Sequence, residues 1–155
     1  MSKNFRRNLK CFFACCLTVL LSSCASPPTV QSKAIASRLG ESKQTAVEVC
    51  MPAGERAYIS RLVCSNNQSP SFKRVGNVGE RNSIPKDLSL EQKKVLLEKL
   101  INRTPLQPGE PDYHIIDAYE LVCGEEKRVI YLDMYHCNQS TPAEAIRGFT
   151  IRALP

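Results

Sequence analysis

The sequence predicts a small, disulfide-braced α+β domain, and three observations carry that expectation. Two stretches, 47–64 and 114–137, each read as strand, turn, strand; the segment 89–102 between them has helical spacing; and four cysteines, Cys50, Cys64, Cys123 and Cys137, fall at matching places in the two stretches. Together they predict a small antiparallel sheet of two similar hairpins, one helix laid across it, and a C-terminal edge strand.

Residues 25–45 are rich in Ser, Ala, Lys, Gln and Pro without a sustained apolar period, and read as a flexible tether. A coil of that length spans roughly 25 Å. The domain proper is expected over 46–155. Its first hairpin has strands at 47–50 and 56–64, with Pro52 and Gly54 in turn positions. Residues 65–83 hold Asn66, Asn67, Pro70, Gly76, Asn77 and Gly79 and read as a long loop.

Ser89 stands three residues before Gln92, as a capping box requires, and opens the helix. Leu90, Leu97 and Ile101 recur at helical spacing, so Leu97 and Ile101 are expected to be buried against the sheet. Pro105 and the pair Pro108 and Gly109 stop the helix. The second hairpin, 114–123 and 128–137, turns at 124–127 and is richer in Ile, Val, Tyr and Leu. Pro142 breaks the chain away, and 148–154 supplies the edge strand with Phe149 and Ile151 on one face. At an offset of 73 residues Val49, Cys50, Tyr58 and Cys64 fall on Val122, Cys123, Tyr131 and Cys137, which reads as an internal duplication.

Ahead of the tether, Lys3, Arg6, Arg7 and Lys10 precede a mostly apolar run, 11–21, that is too short to span a bilayer. Leu21, Ser22, Ser23 and Cys24 follow. This arrangement resembles the signal and lipobox of bacterial lipoprotein precursors. The resemblance covers residues 1–25 and implies a signal peptide 1–23, cleavage before Cys24, and acylation of that cysteine. Ala25 in the next position implies sorting to the outer membrane. The partners implied are a lipid bilayer, through acylated Cys24, and a cell-envelope protein not identified by the sequence.

Four of the 21 basic residues lie in the leader and none of the 15 acids does, so 17 basic residues face 15 acids in the remainder, a net of +2. That balance, without a basic cluster, speaks against nucleic-acid binding. Cys11, Cys15 and Cys16 leave with the signal and Cys24 is lipidated, so the other four cysteines read as two disulfides in an oxidising compartment. If 128–137 is extended, its ends lie about 30 Å apart. Cys123 then cannot reach Cys137, and the same holds for Cys50 and Cys64. Either Cys50 joins Cys123 and Cys64 joins Cys137, or Cys50 joins Cys137 and Cys64 joins Cys123.

No catalytic residues assemble from the sequence. Hydrolase elbows, phosphate-binding loops and the paired-histidine zinc signature are absent, and every remaining cysteine has a prospective partner. The densest reactive stretch is Asp133, Met134, Tyr135, His136 and Cys137. Read as a strand, it sends His136 and Cys137 to opposite faces, so the two cannot grip one metal. Thirteen residues separate the cysteines within each pair, unlike the short spacings of zinc sites. No metal and no cofactor is therefore expected. Tyr58, Tyr131 and Tyr135 are the candidates for a recognition surface. The function read from the sequence is a non-catalytic binding or structural accessory of the envelope, against the alternative of an inhibitor or ligand-binding module for a soluble periplasmic enzyme or small molecule.

Overall fold

The computed structural model describes residues 38–154; the leader, Cys24 and the tether up to residue 37 lie outside the described residues. Within them run β1 (Val47–Glu48), α1 (Met51–Arg61), β2 (Leu62–Val63), β3 (Ser71–Glu80), α2 (Leu90–Asn102), β4 (Ile115–Cys123), β5 (Glu126–Asp133) and β6 (Thr150–Ile151). The main sheet has the order β1-β5-β4-β3; β1 runs parallel to β5 and the other pairs are antiparallel, while β2 and β6 form a separate antiparallel pair. The fold is α+β, with a mixed sheet.

The second hairpin stands where the alternation of Ile, Val, Tyr and Leu puts it. β4 and β5 pair from Asp117 with Leu132 through to Cys123 with Glu126. One face of that hairpin carries Tyr119, Leu121, Ile130 and Leu132, all buried in the core. The strand ends at Asp133, four residues earlier than the sequence reading placed it.

The first stretch is not a hairpin. Met51–Arg61 is a helix with Pro52 in its first turn, a position where the missing N–H costs nothing. Glu55, Tyr58, Ile59 and Leu62, at helical spacing, are all fully buried. An acid in the buried stripe breaks the apolar period, and Pro with Gly imitates a turn, which is why the residues suggested strands. The internal duplication fails with it, because a helix cannot be the structural equivalent of the turn and strand that follow Cys123. α1 packs Tyr58 and Ile59 onto Tyr119, Leu121 and their neighbours. Its far end is clamped by Arg61, whose guanidinium donates to the carbonyls of Arg152 and Pro142.

β3 occupies most of the expected loop. It is an edge strand, exposed over nearly its whole length, and its pairing with β4 shifts register between Arg74 and Gly76 and again between Asn77 and Glu80. The glycines and Asn77 that read as loop residues serve these bulges; Gly79 has φ +83°, which a side chain would strain. Packing and backbone pairing also extend ahead of residue 46. Gly40 is buried, and its backbone N–H and C=O bond to Thr45 and Tyr131.

α2 begins and ends as the sequence indicates, with Ser89 and Gln92 forming the capping box and Arg103 in a left-handed cap. Its packing differs from expectation. No residue of α2 is buried; Leu97 is 56% exposed and Ile101 65%. The helix stands at the periphery and does not cover the core.

The disulfides are Cys50–Cys137 and Cys64–Cys123, with Cα separations of 4.4 and 5.8 Å. They cross between the two stretches, in the second of the two arrangements allowed by strand length. For Cys123 and Cys137 the separator is strand β5, extended only from Glu126 to Asp133; for Cys50 and Cys64 it is helix α1. No helix among the described residues is long and apolar enough to cross a membrane.

Candidate functional site

The sheet topology brings four chain segments to one end. Because β4 is antiparallel to both neighbours, its start lies beside the ends of β3 and β5, and parallel β1 ends there too. Backbone bonds fix the loops at this end. The Arg81 amide donates to the His114 carbonyl, Asn82 donates twice to the Asp112 carbonyl, and the His136 amide donates to the Val49 carbonyl. Four buried residues converge there: Asp112 and His114 just before β4, Asp133 at the end of β5, and His136 in the turn beyond it.

One carboxylate oxygen of each aspartate is held by its own loop: Asp112 Oδ1 accepts from the His114 amide at 2.8 Å, and Asp133 Oδ1 from the Tyr135 amide at 3.1 Å. The other oxygens point inward. His136 Nε2 lies 3.2 Å from Asp133 Oδ2 and 3.3 Å from Asp112 Oδ2. His114 Nδ1 lies 2.9 Å from Asp112 Oδ1 and 3.5 Å from Asp133 Oδ2, but neither contact has hydrogen-bond direction, so this buried nitrogen lacks a hydrogen-bond partner. The His114 ring stacks on Tyr135 at 4.8 Å and meets His136 edge-on.

Arg81 completes the cluster. Its guanidinium reaches Glu48 Oε1 at 2.8 Å, Asp112 Oδ2 at 3.0 Å and Asp133 Oδ2 at 3.0 Å. His136 Nδ1 faces Gln139 at 3.3 Å and Glu48 Oε2 at 3.5 Å. Burial alone would raise both aspartates, but the two histidines and Arg81 more than offset it and hold their carboxyls below the usual range. For the histidines burial acts downward, and the facing carboxylates outweigh it, lifting each to about 9.

A second polar pair sits in the core. Glu55 on α1 is fully buried and accepts from the Tyr119 hydroxyl at 2.9 Å, while its other oxygen, Oε1, has no partner. Burial, followed by the charge of Asp117 among the raising influences, pushes the Glu55 carboxyl up to about 7. Asp117 itself holds Arg74 through two bonds of 2.7 and 2.6 Å.

Of the recognition residues read from the sequence, Tyr58 is corrected outright. It is fully buried, its hydroxyl donating to the Glu144 carbonyl at 2.9 Å. Tyr131 and Tyr135 are half-buried, in β5 and beneath the His114 ring respectively. The strand reading of 133–137 is corrected as well. A turn follows Asp133, so alternation no longer applies and Asp133 and His136 meet. His136 and Cys137 stay apart, the cysteine being spent on Cys50. The signal that would have found the cluster is the recurrence of Asp, Tyr and His as Asp112, Tyr113, His114 and as Asp133, Met134, Tyr135, His136, which uses both histidines of the chain.

Comparison with known proteins finds no matching family model, no matching curated protein and no matching solved structure.

Proposed function

We propose that this chain is a lipid-anchored protein of the bacterial cell envelope that works by contact and not by catalysis. The observation that carries the contact role is α2: a capped helix whose Leu90, Val95, Leu97 and Ile101 are exposed, and none of whose residues is fully buried in its own domain. Such a helix contributes little to the fold, and an apolar face open to solvent marks a surface for a partner. The two disulfides support an oxidising compartment. Burial of the His and Asp side chains supports a non-catalytic role, since a substrate has no open access to them.

The anchor is acylated Cys24, in the outer membrane and facing the periplasm. Acyl chains contribute ~0.8 kcal/mol per buried CH₂, so two or three chains hold a small domain firmly. The partner is an envelope protein with an apolar groove complementary to α2.

A photo-crosslinking residue placed at Leu97 or Ile101 in cells should yield one discrete product, absent when the same residue replaces exposed Lys127 at the start of β5. Cys24→Ser should accumulate as unprocessed precursor. Equal crosslinking from all three positions would sink the α2 surface, and normal maturation with normal membrane partitioning of the serine variant would sink the anchor.

A further inference from the structure

We propose that Asp112, His114, Asp133 and His136 form a binding site for a divalent transition-metal ion, zinc by its ligand chemistry, at the end of the sheet closed by the Cys50–Cys137 disulfide. The proposal is independent of the anchor and of the contact role of α2.

The geometry comes first. Each of the four residues offers one ligand atom, and these atoms all lie within 4.8 Å of one another. Zinc bound tetrahedrally at 2.0–2.1 Å sets its ligand atoms about 3.3 Å apart. His136 Nε2 stands 3.3 and 3.2 Å from the Oδ2 atoms of Asp112 and Asp133, and His114 Nδ1 3.5 Å from Asp133 Oδ2, all close to that edge length. Closing the widest separation, at most 4.8 Å, to a tetrahedral edge takes a contraction of about 1.5 Å.

The second observation is the state of these atoms. His114 is 3% exposed and Asp112 8%, yet His114 Nδ1 has no hydrogen-bond partner, and Asp112 Oδ2 has only the ion-pair approaches of Arg81 and His136 without hydrogen-bond direction. Buried polar atoms are satisfied as a rule, and here two such atoms, on residues two positions apart, belong to one tight cluster. A cation accepting both lone pairs accounts for them.

Charge and surroundings agree. With both histidines neutral, as ligation requires, Glu48, Asp112 and Asp133 bring three negative charges to the cluster and Arg81 returns one positive, which leaves two negative charges for one divalent ion that displaces the histidine protons. The surrounding groups are those that orient metal ligands: Glu48 and Gln139 face Nδ1 of His136, the backbone amides of His114 and Tyr135 hold the non-ligating aspartate oxygens, and Arg81 bridges the two Oδ2 atoms. A cavity of about 240 Å³ lies beside the outer groups, lined by Glu48, Arg81 and Gln139 among others. Two imidazoles with two carboxylates in tetrahedral array select zinc over calcium or magnesium, which demand more oxygen ligands.

The test uses the disulfide-intact mature domain, stripped with a chelator and titrated with Zn²⁺ against a chromophoric competitor near neutral pH. One ion per chain is expected, and Co²⁺ in its place should give the intense visible bands of tetrahedral coordination. His136→Asn and Asp112→Asn should each weaken binding more than about 100-fold, beyond the loss typical of an outer-shell change. Circular dichroism and disulfide mapping confirm that these variants fold. Failure of the wild-type domain to take up Zn²⁺ overturns the proposal, and so does uptake of unchanged affinity in the two variants, or octahedral Co²⁺ spectra.

Discussion

Replacing Glu55 by glutamine should change how stability depends on pH more than it changes the fold. The carboxyl is fully buried, one oxygen is held by Tyr119 at 2.9 Å and the other has no partner. Its proton affinity rises from an ordinary 4.5 to about 7. A group whose folded value lies above its unfolded value favours folding while protonated. The contribution is fully present below about pH 4.5 and is lost as pH rises to about 7. Each tenfold in proton affinity corresponds to about 1.4 kcal/mol, so the full loss is about 3 kcal/mol, a large share of a small domain's stability. Glutamine keeps the shape and an acceptor for Tyr119 but cannot ionise. Urea denaturation of wild type and Glu55→Gln, run at intervals between pH 4 and pH 8 or so, should show similar stability at the acid end and a variant more stable by roughly 3 kcal/mol at the alkaline end. Parallel stability curves, or a gap that opens toward acid, would refute the reasoning, since either means that the buried carboxyl does not hold its proton in the folded state.

Two further outcomes test the packing. Leu97→Ala and Ile101→Ala should each alter stability by no more than about 0.5 kcal/mol, because both side chains are more than half exposed, whereas truncating fully buried Ile59 should cost about 2–5 kcal/mol in the same urea assay. Gly40→Ala should destabilise by about 1–3 kcal/mol, read as a lower thermal midpoint: φ is +72°, and the added Cβ would stand 2.9 Å from Ile146 Cγ2 and 3.3 Å from Val47 Cγ2.

How far the sequence reveals this fold follows from where its information is local. The α2 boundaries rest on Ser89, Gln92 and the prolines beyond Asn102, all within a few residues of what they decide, and they emerge as read. The β4–β5 hairpin likewise declares itself through alternation. The side of α2 that would be buried is a tertiary matter; its apolar spacing is real, but no surface of the described domain covers it. α1 is hidden because Glu55 occupies a position in its buried stripe, where a periodicity search counts an acid as solvent-facing. β3 is hidden because an exposed edge strand needs no apolar alternation, and its bulges draw the same Gly and Asn residues that loops use. The candidate site is the least legible part. Its residues come from two loops 19 or more positions apart and converge through strand pairing, and the assumption of an unbroken strand through His136 concealed that Asp133 and His136 turn toward each other.

The disulfide arrangement makes a closed covalent circuit. From Cys50 the chain runs through α1 to Cys64, crosses to Cys123, follows β5 to Cys137 and crosses back to Cys50, so the two arcs of thirteen intervening residues and the two bridges form one ring. The segment between Cys64 and Cys123, which holds β3 and α2, is a loop whose two ends are tied to each other at a single bridge. One peptide-bond cleavage anywhere in it severs no part of the molecule from the rest. Even two cleavages release only the piece between them and leave the ring whole. The helix that stands exposed can therefore be nicked without the domain coming apart, and covalent separation by proteolysis alone takes a cut in each arc of the ring, inside α1 and inside the β5 segment.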